Sequence, residues 1–289
     1  MDWTLIVALL ALGGATGFVA GLLGIGGGML LVLGALVGFA AGLLGIGGGM
    51  LMVPFMTLLF TAQAFPPQHI VHMAIATSLA TIMFTSISSV RAHHKRGAVL
   101  WPVAAKLAPG ILVGSLLGAQ VASALPTRWL ALVFALFVGF SATQMLLDRK
   151  PKPTRQLPSA AGMFGVGSAI GVVSAIVGAG GGFLSVPFMT WCNVRIHNAV
   201  ATSASLGFPI AVAGTVGYVI SGWHLTGITP GAVGYIHVPA LVSLAVASVM
   251  TAPLGARVAH ALDTRRLKRV FAVLLYLLAA YMLFKSIRG

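Results

Sequence analysis

The sequence predicts an all-α polytopic membrane protein built from two inverted-topology repeats, each a glycine-broken helical hairpin followed by three transmembrane helices. Three observations carry that expectation. First, hydrophobic residues make up 58% of the 289-residue chain and charged residues only 7%. Between Asp2 and Arg91, 88 consecutive residues carry no formal charge, and residues 156–194 and 196–256 are uncharged as well. A soluble domain cannot bury that much apolar length, whereas about 20 such residues cross a bilayer once as a helix. Second, the chain repeats itself in order. Third, the basic residues change loops between the repeats.

The repeat is read from four landmarks. The segment Gly-Ile-Gly-Gly-Gly-Met-Leu-Met-Val-Pro-Phe-Met at 45–56 matches Gly-Ala-Gly-Gly-Gly-Phe-Leu-Ser-Val-Pro-Phe-Met at 178–189. His-Met-Ala-Ile-Ala-Thr-Ser at 72–78 matches His-Asn-Ala-Val-Ala-Thr-Ser at 197–203, and Leu-Gly-Ala-Gln-Val-Ala-Ser-Ala-Leu at 117–125 matches residues 254–262. Thr127 and Arg128 continue onto Thr264 and Arg265. The expected organisation is an N-terminal hydrophobic segment at 1–37, a first repeat at 38–147, a basic linker at 148–158 and a second repeat at 159–289. After each hairpin the expected spans are about 67–90, 99–124 and 127–147, then about 197–221, 231–260 and 266–285.

Charge orients the repeats. Arg91, Lys95 and Arg96 follow the first full span of repeat one, whereas the equivalent loop of repeat two (221–224) has no Lys or Arg. Between the last two spans the bias reverses: repeat one holds only Arg128, and repeat two holds Arg257, Arg265, Arg266, Lys268 and Arg269. With Arg149, Lys150, Lys152 and Arg155 of the linker, one side takes twelve of the 17 basic residues. Under the positive-inside rule that side, linker included, is cytoplasmic, and the swap between equivalent loops is the mark of an inverted repeat. Inversion needs an odd number of crossings per repeat, which three spans plus a re-entrant hairpin, or five full spans, both provide. Nucleic-acid binding is excluded as the reason for the +14 formal charge, because the bases sit in loops between apolar spans. The N-terminus lacks the basic start of a cleaved signal peptide, so the first helix is expected to be retained. Trp3, Trp101 and Trp191 read as interfacial residues.

Residues 17–32 match 38–53 at 14 of 16 positions, a third copy of the glycine run at 24–28. It continues into Leu33 where the other copies have Pro54 and Pro187, so it reads as a spare. Three consecutive glycines cost a helix about 1 kcal/mol each relative to alanine, and each run is expected to break or thin its helix. Unwound backbone at membrane depth is tolerated only where protein buries it or a polar cavity faces it. A helix restarting after such a turn presents unpaired N–H groups and the positive end of its dipole, which binds anions without a basic side chain. The candidate substrate site is therefore Gly45, Gly47, Gly48 and Gly49 with Gly178, Gly180, Gly181 and Gly182. The competing reading is close helix packing through small residues.

Thr77 and Ser78, with their counterparts Thr202 and Ser203, add candidate substrate hydroxyls, or else bond back to their own helices. His72 and His197 are candidate protonatable groups, or packing histidines. Arg195 is a candidate anion attractor, or a snorkelling interfacial base. The chain has no glutamate, and Asp2, Asp148 and Asp263 fall at span ends or loops. Without an acid in the bundle, metal cations are excluded as cargo and small anions favoured. The single cysteine, Cys192, excludes a cysteine metal cluster. No Gly-Lys-Ser/Thr follows a glycine run and no nucleophile motif is present, so neither a nucleotide loop nor an enzyme is expected, and no cofactor is expected.

With Gly-Leu-Leu-Gly-Ile-Gly-Gly-Gly at 42–49, Val53-Pro54, Ala-Thr-Ser at 76–78 and the second Gly-Gly-Gly with Val186-Pro187, the chain resembles the TauE/SafE sulfite exporter family, also called the toluene-sulfonate uptake permease group. The resemblance covers the chain from about residue 38 onward. It implies a secondary transporter of sulfite or organosulfonate anions in the bacterial cytoplasmic (inner) membrane. A passive anion channel and a membrane scaffold without cargo are the alternatives.

Overall fold

The computed structural model describes residues 24–44, 48–147, 155–225, 229–259 and 264–288. Among the described residues ten helices follow one another: α1 (Gly24–Leu44), α2 (Gly49–Ala62), α3 (Ile70–Lys95), α4 (Trp101–Ala124), α5 (Thr127–Leu147), α6 (Ala160–Val177), α7 (Gly182–Trp191), α8 (Ile196–Gly222), α9 (Val238–Ala259) and α10 (Thr264–Arg288). The fold is helical and multi-pass: among the described residues six helices are long and apolar enough to cross a membrane, in α3, α4, α5, α6, α8 and α10. Helix α2 rises about 21 Å and α7 about 15 Å at 1.5 Å per residue, so neither spans a hydrocarbon core of roughly 30 Å.

The expected spans coincide with helices except at one boundary. Helix α9 begins at Val238 instead of near 231, because Ala232–Val233 (β1) and Ile236–His237 (β2) pair as an antiparallel hairpin. Gly231 (φ 81°) and Gly234 (φ 57°) supply the left-handed residues at the start and turn of that hairpin. The glycine run at 24–28 departs from expectation more sharply. It is helical throughout, and α1 continues unbroken from Gly24 to Leu44, across the expected boundary at 37/38. Glycine lowers helix propensity without forbidding helix.

Packing follows a reciprocal scheme. A Cβ on Gly110, Gly114 or Gly118 of α4 would run into Phe164, Ser168 or Val172 of α6 respectively. The contacts advance together along both chains, so α4 and α6 lie parallel with their backbones touching. Likewise Gly34 abuts Leu244 and Gly38 abuts Ser248, which makes α1 parallel to α9. The first helix of each repeat is thus held by the fourth helix of the other.

Corresponding helices of the two repeats run antiparallel. On α3 and α8, Leu79 meets Gly214 and Ser86 meets Gly207. On α5 and α10, Thr143 Oγ1 lies 2.7 Å from Tyr276 Oη, while Ser286 Oγ donates to Arg128 O at 2.8 Å. Small residues let these backbones approach closely, as lipid-immersed helices require. The core is formed by α3, which is buried over most of its apolar length.

Candidate functional site

The second glycine turn is a broken helix at the centre of this bundle. Gly178 ends α6 in the left-handed region (φ 70°) and Gly181 caps α7 there as well (φ 74°). Such angles suit glycine and strain other residues. Gly180 lies near Ile82 of α3 and opposite Gly207 of α8, near the middle of both helices. A Cβ on Gly49 would overlap the Gly178 carbonyl oxygen, so the start of α2 in repeat one packs directly on the turn of repeat two.

The turn joins the negative end of one helix dipole to the positive end of another, and the two ends are treated differently. At the end of α6 the carbonyls of Ser174, Ala175 and Gly178 are engaged. Ser174 O accepts from the N–H of Gly178 and of Ala179, Tyr218 Oη donates to Ala175 O at 3.2 Å, and Ser78 Oγ donates to Gly178 O at 3.1 Å. At the start of α7, by contrast, the N–H groups of Gly180, Gly181, Gly182 and Phe183 meet no acceptor among the described residues; the first paired amides are Leu184 and Ser185, both on Gly181 O. The described bundle also lacks any carboxylate side chain, since all three aspartates fall outside the described residues. Its polar centre is a set of donors without fixed negative charge, which is the chemistry of an anion site.

The hydroxyls singled out by the repeat have definite partners. Thr77 Oγ1 accepts from His237 N–H at 3.1 Å, and Thr202 Oγ1 accepts from Leu100 N–H at 2.9 Å. Each threonine thus holds the residue preceding the fourth helix of the other repeat, a reciprocal clasp. Ser203 and Ser185 are 2.6 Å apart, and Ser185 Oγ donates to Gly181 O at 2.9 Å. The Ser185 proton being used, Ser203 donates to Ser185, and the pair is tied to the glycine turn.

The two histidines occupy unlike places. His72 is buried, its Nε2 donating to Ala122 O and Leu125 O at 3.1 and 3.0 Å, so it ties down the end of α4. Its ring stacks on Tyr235, 5.2 Å between centroids. His69, which precedes α3, stands beside the same tyrosine, and burial lowers its pKa below the ordinary imidazole value. His197 and Arg195 are exposed at the start of α8. Gly45 and Gly47 lie outside the described residues, while Gly48 caps α2 with an ordinary φ of −66°.

Two serines escaped the repeat-based reading because they lack a counterpart: Ser174 aligns with Ala41 and Ser185 with Met52. The departure from repetition was itself the signal. Met52 is buried in the apolar core, at the position where repeat two carries Ser185.

A multi-pass helical bundle with a broken helix at its centre defines a membrane-embedded protein of transporter type. The sequence model of the family described as "Sulfite exporter TauE/SafE" matches residues 30–282, and the chain belongs to that family of membrane transporters. It is similar to a "Probable membrane transporter protein" of Haemophilus influenzae, 34% identical over 98% of this chain and 100% of the relative. It is also similar to "Probable membrane transporter protein YunE" of Bacillus subtilis, 27% identical over 97% of this chain and 98% of that one. A third relative, "Probable membrane transporter protein MJ0441" of Methanocaldococcus jannaschii, is 25% identical over 96% of both chains. No solved structure matches.

Proposed function

We propose that the chain is a secondary transporter that exports small sulfur-containing anions, sulfite or organosulfonates, by alternating access of inverted repeats around the paired glycine turns. The observation that carries this reading is the start of α7, where four consecutive N–H groups lack acceptors among the described residues, while the carbonyls of Ser174, Ala175 and Gly178 across the turn are engaged. The family description supplies the substrate class. Substrate contacts are assigned to Gly45, Gly47, Gly48 and Gly49 and to Gly178, Gly180, Gly181 and Gly182. Thr77, Ser78, Thr202 and Ser203 shape the site from the flanking helices α3 and α8.

The inverted arrangement is supported by the antiparallel course of α3 against α8 and of α5 against α10. Arg91, Lys95, Arg96, Arg155 and Arg269 fall at the same end of the bundle as the start of α8, and this end is assigned to the cytoplasm. The test is sulfite counterflow in liposomes containing the purified protein. Saturable counterflow that is lost in Gly181→Val, in protein that remains monodisperse, is the expected result. Non-saturating flux would identify a passive channel instead, and absence of flux with sulfite, thiosulfate and taurine would leave a scaffold.

A further inference from the structure

Many helix-borne hydroxyls in this bundle bond back to a carbonyl one turn earlier, and several others reach a partner on a neighbouring helix. Ser168 does so to Phe164 in α6, and Ser185 to Gly181 in α7. Such back-bonding satisfies the proton locally and keeps the group neutral to its surroundings. Ser174, one and a half turns further along α6 than Ser168, does not. It is 2% exposed, and its Oγ has no hydrogen-bond partner. It stands beside the cap of α7: the position a Cβ would take on Gly181 is 3.2 Å from the Ser174 Oγ.

A buried hydroxyl without a partner is destabilising, and in native structures such a group asks for a ligand or a function. Here it adjoins amides that also lack acceptors among the described residues, at the positive end of a ten-residue helix. There is room on one side. A Cβ on Gly180 would meet only Ile82 Cγ2, at 3.8 Å, and Gly180 itself is half-buried. The remaining flanks are closed by Ile170 and Ile210, an apolar surround that strengthens any charge-assisted hydrogen bond made inside it.

Resting on the transport reading above, we propose that Ser174 is the hydroxyl donor of a single small-oxyanion pocket at the start of α7, completed by the free amides of Gly180 to Phe183. The anion is then held by the turn of repeat two and not shared evenly between two equivalent turns, since repeat one carries Ala41 at the matching position.

The test is a thermal-shift titration of the detergent-purified full chain with sulfite, alongside Ser174→Ala and Ser174→Cys. Wild type is expected to be stabilised saturably. Ser174→Ala is expected to bind sulfite about ten- to a hundredfold more weakly, the cost of one lost hydrogen bond to a charge. Its ligand-free melting temperature should match or exceed that of wild type, because the alanine removes an unpaired hydroxyl. Ser174→Cys, similar in size and a weaker donor, should fall between. Equal sulfite affinity in wild type and Ser174→Ala would overturn the role of Ser174 and leave the anion reading standing. Failure of sulfite, sulfate, thiosulfate and taurine to stabilise wild type would overturn both.

Discussion

The two glycine turns descend from one motif, yet they have become different objects. The turn at 178–182 leaves helix geometry twice, at Gly178 and Gly181, and gathers Ser174, Ser185 and Ser203 around it. Its counterpart caps α2 through Gly48 in ordinary backbone geometry, and where repeat two has Ser185 it buries Met52. The reciprocal scaffold is shared; the hydroxyls are not. Under the proposed site, reciprocal helix contacts of this kind support a one-sided site, with sequence divergence between the two runs deciding which one holds the hydroxyls.

Substitutions at the turns should break this comparison most visibly. Gly178→Val forces a branched side chain into the left-handed region and against Val53 and Ile75. A loss of roughly 3 kcal/mol is expected, read as failure to recover monodisperse protein or as a collapsed melting temperature. Gly181→Ala should cost about 2 kcal/mol more than Gly48→Ala, because only Gly181 has positive φ and its added methyl meets Ile210. Equal melting temperatures for these two alanine variants would show that the turns are alike after all.

The shared scaffold makes an equal-effect prediction. Thr77→Val and Thr202→Val each strand one backbone N–H, of His237 and Leu100 respectively, and each should cost about 1–2 kcal/mol. A difference above about 1 kcal/mol in chemical denaturation would show the clasp to be one-sided. Histidine substitutions should separate the repeats again at smaller scale. His72→Phe leaves the Ala122 and Leu125 carbonyls without their imidazole donor and is expected to cost roughly 1–2 kcal/mol. His197→Ala, at an exposed position, should change stability by less than about 0.5 kcal/mol.

Much of this was legible in the sequence. Long uncharged runs gave the spans, and the repeat gave the helix order, because both depend on burial and local periodicity. Glycine content alone did not distinguish a broken helix from a continuous one. The run at 24–28 stays helical and the run at 178–182 does not, although the two share nearly the same glycine pattern. The repeat singled out the threonines as candidate substrate hydroxyls, and their hydrogen bonds to His237 and Leu100 join residues 160 and 102 apart. No local pattern encodes such a partner. Ser174 was invisible for a different reason: a search for repeated residues passes over a residue that one repeat has and the other lacks.

The parallel grip of α1 by α9 sets an order of events during synthesis. Gly34 and Leu244, which touch in the finished molecule, are about 210 residues apart in the chain. At ribosomal rates of about 5–20 residues per second, α1 waits on the order of 10–40 s for its partner. Throughout that interval its small-residue face has only lipid, or a chaperone, to meet. A segment made early is thus locked in place late, and truncation anywhere before α9 leaves it without the surface it packs against.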